Sequence, residues 1–190
     1  MKKISLITGL IAFTLFSCNQ KAKQKDNLIE EEQQVENKTE LLQDKIHFSE
    51  EVLMQEFISL DNKSINMQQI LDINRGNVVV IDIWASWCKD CIKAFETTRQ
   101  IQQDFPEVTF VYISADKTEQ SWKEGIGKFN LNGQHYYIPN GEGMKGSFGK
   151  SIDLKWIPRY IVIDKDTKVA LYDATEKNFD DIRVLLQKLQ

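Results

Sequence analysis

From Val78 to Trp84 the chain reads Val-Val-Val-Ile-Asp-Ile-Trp, a nearly unbroken apolar run rich in β-branched residues. Such a run predicts a central strand covered on both faces in a parallel sheet. After Cys91 the pattern changes: Ile92, Phe95, Ile101 and Phe105 are spread among polar residues as far as Pro106, which predicts a helix of about four turns. Val108 to Ile113 predicts a second strand, Thr118 to Phe129 a polar-rich helix, Gln134 to Ile138 a short extended segment and Met144 to Lys150 a short helix. Tyr160 to Ile163 and Lys168 to Tyr172, joined by a turn at Asp164 to Thr167, predict a hairpin. Ile182, Leu185, Leu186 and Leu189 recur at three- and four-residue intervals, so Phe179 to Leu189 predicts an amphipathic closing helix. Ahead of these elements, Glu56 to Leu60, a turn at Asp61-Asn62-Lys63 and Ser64 to Asn66 predict a leading hairpin.

Strand and helix thus alternate, and the region from residue 49 to residue 190 fits one domain with its own core. The preceding part has a different character. Lys2 and Lys3, the mostly apolar run Ile4 to Phe16, and Ser17 before Cys18 read as an export signal over residues 1–17, too short to span a bilayer. Leu15-Phe16-Ser17-Cys18 resembles the lipobox of bacterial lipoproteins, which implies cleavage before Cys18 and lipidation of that cysteine. The expected location is therefore the cell envelope, with the membrane reached through a lipid anchor. An ordinary cleaved signal with an incidental cysteine, or an uncleaved anchor, is the alternative. Residues 18–48 follow as a charged tether: between Asn19 and Asp44 there is no Gly, Pro or aromatic residue, and Lys, Glu and Gln dominate. As a flexible chain it would reach about 30 Å.

Charge narrows the partners. The formal net charge of −4 becomes −6 once Lys2 and Lys3 leave with the signal, so nucleic acid is not an expected partner. Export also gives meaning to the cysteines, because thiols outside the cytoplasm tend to be oxidised unless a dedicated reductant reaches them.

The chemistry concentrates in Trp87-Cys88-Lys89-Asp90-Cys91. Zinc sites use the same spacing but need a second pair of ligands, and Cys18, His47 and His135 do not supply one. A disulfide across two intervening residues constrains little chain, which favours a working redox pair over a staple. The pair follows the strand and opens the helix, where unpaired backbone N-H groups stabilise a thiolate. Cys88, nearer the turn, is expected to be exposed and to attack; Cys91, one turn into the helix, is expected to be buried and to resolve. Lys89 and Asp90 pull the thiolate in opposite directions, or are simply solvated first-turn residues. Asp82 is the residue most at odds with its surroundings, since a carboxylate inside an apolar strand carries a desolvation cost and a raised pKa. A strand-end aspartate with a backbone partner is the plainer reading.

The order of elements, together with Asp82-Ile83-Trp84-Ala85-Ser86-Trp87-Cys88-x-x-Cys91, resembles the thioredoxin family. The leading hairpin, the export signal and Ile157-Pro158-Arg159-Tyr160-Ile161-Val162-Ile163-Asp164 are similar to its TlpA/ResA branch, over about Phe57 to Leu189. The Gly-Pro usual between the cysteines is replaced here by Lys89-Asp90, so the family's redox poise does not carry over. The resemblance implies an α/β fold: a thioredoxin-like three-layer sandwich, its central mixed sheet flanked by helices, with an N-terminal β-hairpin extension. It implies a thiol-disulfide oxidoreductase without cofactor or metal, acting on protein or peptide disulfides and recharged by a membrane-bound electron donor. Reduction of the substrate is the expected direction. Asp82 matches the buried acid that assists proton transfer at the second cysteine, and Pro158 matches a cis-proline facing the disulfide. The Ile157 backbone would then pair with an extended substrate. Trp84, Trp87, Trp156 and Tyr160 are candidates for an apolar rim, Trp87 first among them.

Two other functions draw on the same residues. A peroxidase needs Pro-x-x-x-Thr-x-x-Cys, and Ile81 and Ala85 before Cys88, or Trp84 and Cys88 before Cys91, do not fit. A copper metallochaperone would use Cys88, Cys91 and a distant His, for which His135 is the candidate inside the domain.

Overall fold

The computed structural model describes residues 47–190. The signal segment, Cys18 and the tether up to residue 46 lie outside the described residues. Within them, no helix is long and apolar enough to cross a membrane.

A seven-stranded sheet is built from β1 (Glu56–Ser59), β2 (Ser64–Asn66), β3 (Val79–Trp84), β4 (Thr109–Ser114), β5 (Gln134–Tyr137), β6 (Arg159–Ile163) and β7 (Val169–Ala174), in the order β2-β1-β5-β4-β3-β6-β7. β3, β4 and β5 run parallel; β1 and β6 pair antiparallel at either side of this core. Every residue of β3 is buried, as its apolar run requires. The leading hairpin is β1 with β2, and it extends the sheet at one edge.

The helices are α1 (Glu50–Leu53), α2 (Met67–Ile73), α3 (Lys89–Asp104), α4 (Glu119–Phe129), α5 (Ser147–Ser151) and α6 (Phe179–Leu189). Two successive parallel crossovers in the same direction, β3 to β4 and β4 to β5, put α3 and α4 on one face of the sheet. Trp84 of β3 meets Phe95 of α3 and Phe129 of α4 edge-on at 5.6 and 6.4 Å. α6 covers the same face, with Phe179 5.2 Å from Tyr160 of β6. On the opposite face, Phe148 of α5 packs on Phe57 of β1 at 4.9 Å, and Asn74, just past α2, exchanges side-chain hydrogen bonds of 3.0 and 2.7 Å with Gln134 of β5. This is the three-layer sandwich that the resemblance implies.

Several boundaries differ from the sequence reading. α1 and α2 are not predicted by the apolar pattern: α1 starts from a Ser49 cap, and α2 from a reciprocal capping box in which Asn66 and Gln69 bond each other's backbone N-H. The short helix expected over Met144 to Lys150 divides into a 3-10 turn at Gly143–Lys145 and α5, because Gly146 breaks it with extended backbone. β7 continues to Ala174 rather than ending at Tyr172. Phe48, counted with the tether, is 7% exposed and tilts against Tyr172 at 6.2 Å, so packing of the domain begins there.

Candidate active site

Three elements converge on the cysteine pair. β3 delivers the chain to Trp84, Ala85 closes a turn by accepting from Cys88 N-H at 3.0 Å, and α3 begins at Lys89 with Cys88 as its N-cap. The Cys88 Sγ takes the place a serine or aspartate oxygen has in an ordinary cap, accepting from Cys91 N-H at 3.1 Å. Cys88 and Cys91 form a disulfide with Cα atoms 5.3 Å apart.

The third element is the segment entering β6. The Ile157-Pro158 peptide is cis, as the resemblance implies, and the Ile157 carbonyl lies 3.5 Å from the Cys88 Sγ. Pro158 itself is buried. Beside them opens a predominantly apolar groove of about 320 Å³, to which Trp87, Cys88, Met144, Trp156 and Ile157 contribute, together with the charged Lys89, Asp90 and Lys155.

Exposure corrects the sequence reading in two respects. Cys88 is only 6% exposed, not an open surface thiol, although it still lies nearer solvent than the fully buried Cys91. The surrounding turn and the Ile157 segment cover most of it, leaving the side facing the groove. Trp84 and Tyr160 are not rim residues: both are buried on the α3 side of the sheet, whereas Trp87 and Trp156 are 54% and 55% exposed. Met144 and Lys155 were not singled out from sequence; no motif marks them, and only the packing of the segment after β5 brings them to the groove.

Asp82 lies wholly inside, and neither carboxyl oxygen has a hydrogen-bond partner. The strand-end reading with a backbone partner does not apply. Its cross-strand neighbours are Tyr112 on β4 and Tyr160 on β6, so it sits between two phenols on the face covered by α3, the helix that carries Cys91. Loss of hydration with no compensating donor pushes its pKa up to about 8. Asp90, in contrast, is half-exposed beside the groove and pairs with Lys93 at 3.5 Å.

His135 is not brought to the cysteines. It stands on β5, two strands from β3, stacked on Tyr112 at 5.2 Å and in contact with the Leu131 carbonyl at 3.2 Å. Burial lowers its pKa. Among the described residues, no group of three His, Cys, Asp or Glu side chains is placed to share a metal ion.

Residues 76–169 match the family described as thioredoxin-like. The chain is 24% identical over 132 residues to the thiol-disulfide oxidoreductase ResA of Bacillus thuringiensis, covering 68% of this chain and 71% of that protein. The ResA of a Bacillus cereus strain is similar at 25% identity over the same length. Among solved structures, the thioredoxin domain of a thiol-disulfide oxidoreductase from Bacteroides vulgatus superposes with a TM-score of 0.59 at 18% identity, covering 71% of this chain and 92% of that one. A secreted disulfide oxidoreductase of Mycobacterium tuberculosis gives a TM-score of 0.56 at 18% identity, covering 74% of this chain and all of that one.

Proposed function

We propose, from the match of residues 76–169 to the thioredoxin-like family and the low-identity similarity to ResA thiol-disulfide oxidoreductases, a cell-envelope enzyme that reduces protein or peptide disulfides through Cys88 and Cys91. The observation that carries this reading is the placement of one bonded pair: Cys88 caps α3, faces an apolar groove and touches the Ile157 carbonyl beside a cis-proline. In the reduced enzyme, the Cys88 thiolate attacks a substrate sulfur and expels its partner thiolate, forming a mixed disulfide. Asp82, acting as base through an intervening water, takes the proton of Cys91, whose sulfur then attacks Cys88 and releases the second substrate thiolate. Two electrons pass to the substrate, and the enzyme is left with the Cys88-Cys91 disulfide. Trp87, Ile157 and Pro158 hold the substrate segment, the free edge of Ile157 pairing with extended backbone.

The cycle needs no cofactor, but it does need electrons. With the Cys88-Cys91 disulfide buried on one side and no third cysteine in the domain, an external donor must re-reduce it, and a membrane-bound donor fits an anchored protein. Anchoring rests on Cys18. The substitution Cys18→Ala is expected to move the protein from the membrane to the soluble fraction; retention of the Cys18→Ala variant in the membrane would refute lipid anchoring.

Direction is set by the reduction potential of the pair. Equilibration with glutathione or dithiothreitol buffers reads it: a value near about −270 mV supports the reductase, whereas a value near about −120 mV would reverse the net transfer and make the protein an oxidant.

A further inference from the structure

The loop that delivers Cys88 is held from outside its own element. Between the last residue of β3 and the first of α3 lie only Ala85, Ser86, Trp87 and Cys88. The Ser86 N-H donates to both carboxylate oxygens of Asp116, at 3.0 and 3.1 Å, and the Ser86 hydroxyl donates to one of them at 2.7 Å. Asp116 lies just beyond β4 and is fully buried. Its other oxygen accepts from the Ser114 hydroxyl at 2.8 Å, and that hydroxyl accepts in turn from the Asp116 N-H at 3.0 Å. A further backbone bond of 2.7 Å, from Ala115 N-H to the Trp84 carbonyl, ties the same two chain segments together.

Such a cluster is not needed to close the sheet, since the β3-β4 ladder already runs from Val79 with Thr109 to Trp84 with Ser114. Three of the four hydrogen bonds to the Asp116 carboxylate come from Ser86, the one residue that precedes the Trp87-Cys88 step. From these contacts the geometry points to Asp116 as a positioning residue of the redox site, fixing the Ala85-Ser86-Trp87-Cys88 loop so that the Cys88 sulfur stays over the first N-H groups of α3. This inference rests on the reading that Cys88 is the attacking thiol. Asp116 touches neither sulfur; it acts through Ser86. α4 closes the loop from the other side: a Cβ built on Gly125 would stand 3.1 Å from the Ser86 Cβ and 2.9 Å from the Trp84 ring, so the loop has little room to shift toward that helix.

Freed from Asp116, the loop can tilt Cys88 away from the Cys91 N-H that its sulfur meets at 3.1 Å. The thiolate then loses part of its stabilisation, and its pKa rises. Asparagine at the same position retains an acceptor oxygen for both Ser86 donors and an amide that the Ser114 hydroxyl can accept from, so the loop should stay in place.

The test is the pH dependence of iodoacetamide alkylation of the reduced protein, read at Cys88 by mass spectrometry, for wild type, Asp116→Ala and Asp116→Asn. Asp116→Ala is expected to raise the kinetic pKa of Cys88 and slow its alkylation at neutral pH by on the order of tenfold, with Asp116→Asn close to wild type. If Asp116→Ala lowers the melting temperature but leaves the Cys88 profile unchanged, the residue is merely structural and the inference is overturned. Should Asp116→Ala fail to fold, Ser86→Ala keeps the backbone donor and removes the hydroxyl; a smaller shift in the same direction is expected, and no shift overturns the inference. A wild-type Cys88 no more reactive than a free thiol would instead overturn the assignment of Cys88 as attacking thiol, a result distinguishable from either of these.

Discussion

Cys88→Ala is expected to abolish reduction of insulin disulfides, lowering the rate by more than about a thousandfold to that of the dithiothreitol present, while Cys91→Ala is expected to accumulate a covalent adduct through Cys88. The two cysteines are asymmetric in the structure, and the asymmetry assigns opposite phenotypes. Cys88 borders the groove and caps α3, so its thiolate is both reachable and stabilised by helix N-H groups. Cys91 has no exposed surface and can meet only the sulfur three residues before it. Removing the first sulfur leaves nothing to attack; removing the second leaves an attack that cannot be completed. Gel mobility without reductant and intact mass of the trapped species read the outcome directly. Full activity of the Cys88→Ala protein would sink the mechanism, and an adduct formed instead through Cys91 in that variant would exchange the two assignments.

What the sequence disclosed of this site follows from how local each signal is. The apolar run Val78 to Trp84 and the cysteine spacing are contiguous, and they place the pair at a strand-to-helix junction as found. Ile157-Pro158 was legible through its resemblance, because a dipeptide ahead of a β-branched strand survives as a short string. Exposure was less legible. The turn at Ala85 and the carbonyl of Ile157, distant in sequence, cover Cys88, and no periodicity in either segment announces that. The same holds for Trp84 and Trp87, which differ by three positions on either side of a strand end: one faces α3 and α4, the other faces solvent.

Two omissions have different causes. The capping box of α2 was written in the sequence as Asn66 followed three residues later by Gln69, but the helix it starts is only seven residues long and its apolar positions blend with the preceding hairpin. Asp116, by contrast, sits after a β-strand among Ser, Ala, Lys and Thr, a composition that reads as an ordinary loop. Its four carboxylate hydrogen bonds come from Ser86 and Ser114, and those with Ser86 span 30 positions. Register between β3 and β4 creates that proximity, and register becomes known only once the strands are paired.

Asp82→Asn is expected to stabilise the protein and, at the same time, to impair the second half of the catalytic cycle. The folded state holds Asp82 protonated up to about pH 8, whereas the unfolded chain releases that proton near the ordinary carboxylate value of 3.8. Between those limits the folded state binds the extra proton, so stability falls as pH rises, by about 1.4 kcal/mol for each pH unit, and levels off above the folded value. At pH 7 the wild-type protein therefore carries a penalty of roughly 4 kcal/mol from this group, an order-of-magnitude figure set by linkage. An amide at the same position keeps the shape and cannot ionise, so urea midpoints of the variant should exceed those of wild type at pH 7 and converge with them near pH 4. For the chemistry the sign is opposite. Only the ionised form of Asp82 can take the Cys91 proton, so release of the second substrate thiol from a Cys88 mixed disulfide should accelerate through about pH 8 in wild type and lose that rise in Asp82→Asn. Parallel stability profiles for the two proteins from pH 4 to 8 would mean that the carboxyl is not held neutral by burial. A rate profile that keeps its rise in the variant would remove Asp82 from the proton path even if the stability result holds. The two readouts separate a carboxyl kept only at a cost in stability from one that also serves the resolving cysteine.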